Sequence, residues 1–563
     1  MKKIFFIPVL IFLFGFSFCA FAQNIGERQK FYIEKTYDLF KREEMYAVLI
    51  KETAKIHFYV DENWWSSASK DAIYQNLDNL REEFEYKIYP VLVSTFGPEW
   101  NPGVDKDSKL TVLIHPMIEQ AGGYFNSRDE YYKVQDTRSN EREMVYLNSS
   151  YLGTSYDKSF LAHEFLHLIT FNQKENSFGV SEDVWLNEAR AEYVSTLLGY
   201  DEVYKGSNLE KKVQIFSDFS QDSLIDWKSV KYDYGSINLF VHYLVDNYGK
   251  NILIDSLQSK KTGIDSLEYA LAKNGFKEDF SQLFLNWTIA NYINDCNFGN
   301  NFCYKNANLS NFHITPQINF LPLAGKSVLA FSDNLANWSA NWYKIIGGKG
   351  TLNVKFEGNQ AFFGKVAYIT GTNNSNYKVN YLVPNKLNSA EVSIENFGNS
   401  PNLFVIIPSL YSKNLPAGSS LPFSWSVSVS KPEDNNNSGE DPALISQLLA
   451  KIEFLKKEIA KFQALLDALL KNKNTSCVRI ENDLYFGLKN NEVLCLQKFL
   501  KFQGMDIYPE GLVTGFFGEK TKAAVIKFQE KYKIFQQGFT KGSGVVDKAT
   551  KDKINLILSQ IAI

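Results

Sequence analysis

The sequence predicts a multidomain chain in which an α+β domain is followed by an antiparallel β-sandwich, a coiled-coil or long helix, and a small α-helical bundle. Three observations carry that reading. Between about 45 and 295, apolar strand-like runs give way to helical patterns. From about 315 to 430, short alternating segments separated by turn residues take over. Beyond a polar linker, apolar residues recur at intervals of three and four, first along one long stretch and then in short helical stripes. The 563 residues suffice for about three to five domains, and a hydrophobic content of 45% can build their cores. A net charge of −3 argues against a dedicated nucleic-acid or anionic-membrane binder, which would carry a basic excess. With 33 Gly and 5 Cys, collagen-like and disulfide-scaffold classes are excluded.

In chain order, Lys2 and Lys3 precede an apolar run, and Ala20-Phe21-Ala22 offers small residues at the −3 and −1 positions. This is the anatomy of a secretory signal peptide over residues 1–22, so the chain is expected to be secreted; the alternative is an uncleaved anchor helix over Ile4–Ala22. Cys19 leaves with the signal. The four remaining cysteines suggest local bridges, Cys296 with Cys303 and Cys477 with Cys495, although four cysteines allow three connectivities. Within the α+β domain (23–310), Tyr46–Val60 reads as strand, and Ser69–Tyr89 as a long helix that Pro90 ends or kinks. Leu110–Ile114, Gly122–Asn126 and Glu143–Asn148 read as further strands, and helical patterns dominate from Asp157 to Asp295. Asp105-Lys106-Asp107-Ser108-Lys109 has some of the acids of a calcium loop but lacks its glycine and closing acid, so it reads as a polar turn.

Residues 311–430 contain TLNVKF, GKVAYIT, YKVNYLV, AEVSI, LFVII and FSWSVSV at strand-like spacing, which argues a sandwich. Lys431–Pro442 has almost nothing to bury and reads as a linker. Over residues 443–473, Ile445, Leu448, Ile452, Leu455, Ile459, Phe462, Leu466 and Leu469 form a heptad seam. It can serve a homo-oligomer or pack as a single helix; the pattern leaves both open.

The chemistry concentrates in His163-Glu164-Phe165-Leu166-His167. Residues four apart share a helix face, so both imidazoles can reach one metal ion. Asp157 or Ser159 is the expected cap of this helix, and Ser181 or Asp183 that of the next. On that second helix Glu188 and Glu192 are again four apart, where two acids repel unless a cation intervenes. Glu188 is the candidate third ligand and Glu192 an acceptor for a ligand imidazole N–H. Two neutral His and one carboxylate suit one Zn2+ with an open position, which lowers the pKa of water toward ~7. Glu164, beside a ligand but not one itself, can take that proton and deliver it to a leaving amine.

HEFLH followed by WLNEARAEY resembles the HExxH…NExxxD/E arrangement of the thermolysin-type zinc peptidases, the gluzincins, and within them most resembles the hyicolysin-type secreted peptidases. GGYFN (122–126) and EMVYLN (143–148) are similar to the edge-strand region preceding the active-site helix of that family. The resemblance covers roughly residues 45 to 295 and implies a zincin-like metallopeptidase domain acting on protein or peptide substrates. It implies His163, His167 and Glu188 as zinc ligands and Glu164 as catalytic base. Gly122, Gly123, Tyr124, Phe125 and Asn126 would then form an edge strand that pairs with substrate backbone. The family's transition-state donor lies on a later helix, and Tyr234 in YDYGSINLFVHYLVDNYG (232–249) is the choice here, with Tyr232 and His242 as runners-up. His242, in mid-helix, is otherwise expected at the surface, and His57, His115 and His313 are expected to be structural.

Residues 474–563 close the chain. Val493, Leu496 and Leu500 make one helical stripe, Ala524, Val525, Phe528 and Tyr532 another, with Gly511, Gly515 and Gly518 at the turn between them. The pattern V..LQ..L…G…FG..T..AV..FQ resembles the peptidoglycan-binding domain of bacterial wall enzymes, which implies peptidoglycan as a partner and a cell-wall-associated location. The expected function is a secreted zinc endopeptidase tethered to the wall. A hydrolase of peptidoglycan cross-links and a non-catalytic wall-binding adhesin or scaffold are the alternatives.

Overall fold

The computed structural model describes residues 24–228, 231–299, 301–321, 328–359, 363–373, 375–430, 479–504, 507–509, 511–534 and 543–560. The expected signal peptide, linker and heptad helix, together with Cys477, lie outside the described residues. The chain divides into two compact units, Met1–Asp434 and Asn435–Ile563.

The first unit opens on β1 (Arg28–Tyr32), β2 (Glu44–Glu52) and β3 (Ile56–Asp61), then α1 (Glu62–Ser67), α2 (Lys70–Glu83) and α3 (Tyr89–Phe96). Next come β4 (Leu110–His115), β5 (Gly123–Phe125), β6 (Met144–Asn148), α4 (Asp157–Phe171), α5 (Val184–Leu197) and α6 (Asn208–Asp218). Four more helices complete the helical part: α7 (Lys231–Tyr248), α8 (Asn251–Leu257), α9 (Gly263–Lys273) and α10 (Phe280–Ile293). The six strands form one mixed sheet in the order β1-β2-β3-β4-β6-β5, with β3, β4 and β6 parallel and β5 returning antiparallel at the edge. β3, β4 and β6 are buried throughout, which is why they are mostly apolar on both faces.

Two expectations change here. Tyr46–Val60 is not one strand but an antiparallel hairpin, β2 with β3. Its turn lacks Gly, Pro and Asn; Thr53 makes it instead, its hydroxyl accepting from Ile56 N at 3.0 Å and Lys55 N at 3.3 Å. Pro90 does not stop the helical path either. A wide π turn over Phe84–Ile88 precedes it, so the proline falls in the first turn of α3, where its missing N–H is least needed.

The sandwich comprises β7 (Gln317–Leu321), β8 (Val328–Ala336), β9 (Ser339–Ala340), β10 (Tyr343–Gly347), β11 (Gly350–Gly358), β12 (Val366–Thr372), β13 (Ser375–Leu382), β14 (Ser389–Phe397), β15 (Leu403–Ile407), β16 (Ser409–Leu410) and β17 (Ser420–Ser430). Its sheets run β13-β12-β15-β10-β7 and β14-β11-β17-β8, with a short β16-β9 pair. The expected antiparallel pairing holds except for β7, which lies parallel to β10. β15 is buried on both faces: Phe404 and Ile406 enter the sandwich core, whereas Leu403, Val405 and Ile407 join the apolar cluster of the helical part. Trp338 packs on Phe280 and Phe284, and Trp342 Nε1 donates to Thr288 O at 2.9 Å, so α10 and the sandwich share one core.

The second unit contains α11 (Asn491–Phe502), α12 (Glu519–Lys531) and α13 (Lys548–Gln560) around Val493, Leu496, Leu500, Val525 and Phe528. A repeat organises it. Gln497, 1% exposed, accepts from Thr514 N and Gly515 N and donates to Phe516 O and Thr521 Oγ1. Gln529, equally buried, accepts from Gly544 N and donates to Val545 O and Thr550 Oγ1. Each glutamine thus binds a glycine turn to the helix that follows it.

Cys296 and Cys303 form a disulfide, as expected. Cys495 is also disulfide-bonded.

Candidate metal centre

α4 is buried on nearly every side because its apolar residues face both the sheet and the later helices. Neither expected residue caps it. Tyr156 holds the cap position, while the Asp157 carboxylate turns back to accept from Gly153 N at 2.8 Å, and Ser159 is hydrogen-bonded to Ser195 of α5. Asp183 does occupy the cap of α5, but its side chain makes no capping bond.

The two helices bring His163, His167 and Glu188 together, with one ligand atom from each lying within 4.8 Å of the others. His163 Nε2 is 3.2 Å from Glu188 Oε2, and His167 Nε2 is 3.6 Å from Glu188 Oε1. Behind the coordinating nitrogen, the His167 ring is held by a hydrogen bond and the His163 ring has a carboxylate nearby. His167 Nδ1 donates to Asn187 Oδ1 at 3.1 Å, which leaves the Nε2 lone pair pointing at Glu188. Glu192 Oε1 lies 3.9 Å from His163 Nδ1, longer than a hydrogen bond, and also accepts from Lys212 Nζ at 2.9 Å. Glu192 Oε2 accepts from Asn208 and Asn238, each at 3.1 Å. Glu188 Oε2 is buried and has no hydrogen-bond donor. A buried carboxylate whose two oxygens each lie against one imidazole nitrogen is a donor set that fits Zn2+.

Glu164 is 6% exposed and receives the backbone N–H of Phe125. Burial pushes its carboxyl up to about 8 against the pull of His163, so it holds a proton more readily than an ordinary glutamate. β5 passes directly over it at the sheet's edge. A Cβ on Gly123 would meet Tyr146 O at 2.6 Å and Glu164 Cγ at 3.1 Å, and one on Gly122 would meet the Phe160 ring at 2.5 Å. The pair of glycines therefore lets an edge strand approach the helix that carries the base. Tyr124 turns to the other face and stacks on Tyr146 at 4.1 Å, while Asn126 caps the turn that follows.

Tyr234 of α7 packs edge-on against Trp227 at 4.9 Å, with Lys212 Nζ 4.3 Å from its ring centre. Burial, and then the charges of Glu188, Glu192 and Glu164, raise its phenol far above the usual range, which keeps it a proton-bearing donor facing the three carboxylates. Tyr232 packs on Phe219 instead. His242 is not at the surface: it is 1% exposed, hydrogen-bonded to Thr196 Oγ1 and Asn238 O, and its place in the apolar run LFVHYLV was the signal of burial. His57 meets Asp107, His115 meets Asp38, and His313 meets Tyr292 O.

Sequence reasoning missed Asn187, Lys212 and Tyr37. Asn187 directly precedes the ligand Glu188 and was within reach of motif reading; the other two were not. Tyr37 lies on the segment between β1 and β2, stacks on Tyr124 at 4.9 Å, and has its phenol raised by burial and by the charges of Glu164 and Glu188.

Residues 489–554 match the family model of the peptidoglycan binding domain, so the C-terminal unit carries such a domain, which supports binding to the cell wall. No curated protein matches the chain. Among solved structures, the pre-peptidase C-terminal domain of collagenase from Bacillus anthracis is 13% identical with a TM-score of 0.15, over 20% of this chain and 96% of that one. PliG of Aeromonas hydrophila, a periplasmic inhibitor of g-type lysozyme, is 12% identical with a TM-score of 0.14, over 21% of this chain and 100% of that one. Likenesses at these scores carry no argument about this protein. Among the described residues no helix is long and apolar enough to cross a membrane.

Proposed function

We propose that this chain is a secreted zinc-dependent endopeptidase held at the cell wall by its C-terminal peptidoglycan-binding domain. The observation that carries the reading is the convergence of His163, His167 and Glu188 within 4.8 Å beside a buried Glu164. A zinc ion gripped by those three residues would supply Lewis acidity, lowering the pKa of water and polarising a carbonyl. The chain's own residues do the rest. Glu164 takes a proton from the attacking water and passes it to the leaving amine, a task suited to a carboxyl whose affinity for protons is raised. Tyr234 donates its phenolic hydrogen to the developing oxyanion. The free rim of β5 aligns an extended peptide over Glu164 through main-chain hydrogen bonds.

The wall domain also keeps a second substrate in view, the peptide cross-link of peptidoglycan itself. Digestion of casein against purified sacculi, with Glu164→Gln as control, separates the readings. Casein cleavage lost in the variant supports the endopeptidase. Sacculus lysis without casein cleavage assigns the cross-link instead, and sacculus binding with neither activity leaves a wall-binding adhesin.

A further inference from the structure

The geometry points to the face of the second unit that meets the wall: we propose that the exposed rings of Tyr485, Phe486 and Phe516, with Lys522 beside them, bind the glycan strand of peptidoglycan. The inference rests on the wall-binding reading and deepens it by naming the surface and the part of the polymer it takes.

The glutamine repeat builds the platform. Gln497 holds the first glycine turn through Thr514 N and Gly515 N, and Gln529 holds the second through Gly544 N. Residues 484–489, just before α11, run across both turns. At one end Leu484 pairs with Val546, its N–H donating at 3.2 Å and its carbonyl accepting at 2.7 Å. At the other end Lys489 pairs with Phe516, Gly487 N donates to Phe517 O at 2.9 Å, and Leu488 O accepts from Phe517 N at 2.8 Å. Leu484 and Phe517 anchor this crossing in the core, while Tyr485, Phe486 and Phe516 stand out of it, at 52%, 43% and 39% exposed. The Phe516 ring lies over Gly518, where a Cβ would meet it at 3.5 Å. One turn further along α12, Lys522 Nζ is 5.8 Å from the centre of the Phe486 ring. A Cβ on Gly544 would meet Lys522 Cγ at 2.8 Å, so the second turn closes on the same lysine. The rings and the lysine border one surface.

Phe499, Phe517 and Phe528 of the same unit are fully buried, so three rings left exposed around one ribbon mark a binding face. Its occupant follows from what the face still offers. An extended peptide needs open main-chain groups. Here the N–H groups of Leu484, Gly487, Leu488 and Asn490, and the carbonyls of Leu484 and Leu488, are already bonded within the domain. Ring faces and an ammonium remain. The electron-rich face of an aromatic ring attracts the C–H-lined face of a pyranose, and Lys522 can donate to hydroxyl and acetamido oxygens. Charge agrees with a wall polymer whose stem peptides bear free carboxylates. Residues 479–560 carry 13 Lys and Arg against 9 Asp and Glu, in a chain that as a whole carries 60 against 63.

The test pellets the full-length protein with purified sacculi, using chitohexaose and a free stem pentapeptide as soluble competitors. Phe486→Ala combined with Phe516→Ala is expected to weaken sacculus binding about tenfold or more, with an unchanged circular dichroism spectrum. Chitohexaose is expected to displace the wild-type protein, and the pentapeptide to leave it bound. Should the double variant fail to fold, Tyr485→Ala and the competition on wild type carry the test. Variants that fold and bind like wild type, or displacement by the pentapeptide and not by chitohexaose, overturn the glycan surface and leave the wall tether standing. Wild-type protein that stays in the supernatant refutes the tether itself, and this surface with it.

Discussion

Replacing Glu192 by glutamine tests how the centre is held rather than whether it exists. Glu192 is 4% exposed and bonded to Lys212, Asn208 and Asn238, with His163 Nδ1 3.9 Å away. Glutamine keeps the shape. Its oxygen can stay toward Lys212, and its amine can be received by Asn238, whose Oδ1 has no donor at present, once that amide turns over. What disappears is a negative charge behind a ligand imidazole. At 3.9 Å a full ion pair is worth at most about 4 kcal/mol at an effective dielectric of 20, and a metal-bound imidazole carries only part of a charge. Losing such a supporting acid typically costs 10–100-fold in metal affinity, or about 1.4–2.7 kcal/mol. Because the gap exceeds a hydrogen bond, the lower half of that range is expected. Competition for zinc against a chromophoric chelator measures it, with circular dichroism to confirm folding. A folded variant whose zinc affinity stays within about twofold of wild type would refute the assignment of Glu192.

Tyr234→Phe removes only the phenolic hydroxyl and should lower kcat about 10²–10³-fold on casein while zinc content is unchanged; loss of zinc in parallel would make Tyr234 a structural residue instead. Gln497→Ala strips Thr514 N and Gly515 N of their acceptor, while Phe516 O keeps Gly518 N, at about 1–3 kcal/mol for a buried group left unpaired. Sacculus pelleting of the full chain should fall, whereas casein hydrolysis should not. The buried Glu143 carboxyl sets a pH dependence. Burial, and then Asp105, raise the Glu143 carboxyl from its ordinary 4.5 to about 8, so the folded state keeps a proton that the unfolded state releases. Stability should therefore be full below about pH 4.5 and decline as pH rises through about 8. A Tm independent of pH over that range would contradict it.

What could be read from the sequence was what depends on short spacings. Imidazoles at 163 and 167 must share a helix face, and so must Glu188 and Glu192, whatever the fold around them. β4 and β6 announced themselves by their apolar runs. Gly122-Gly123 could be seen as a place where a strand starts, but not that the second glycine admits the Glu164 methylene. The β2–β3 turn was invisible because a threonine hydroxyl does the work usually done by glycine or asparagine. Longer separations were illegible: Tyr37, Lys212 and Asn238 reach the centre only through the topology. The glutamine repeat was legible in principle, since LQ…TG.FG..T and FQ…SGVV…T recur in order, yet helical periodicity alone draws the eye past a buried amide.

The account rests on a single ion held between α4 and α5. X-ray diffraction from crystals of the full-length protein, recorded on either side of the zinc absorption edge, examines that directly. It predicts one anomalous peak about 2.0–2.2 Å from His163 Nε2, His167 Nε2 and a Glu188 oxygen. No peak at those three atoms in protein prepared with zinc would contradict it.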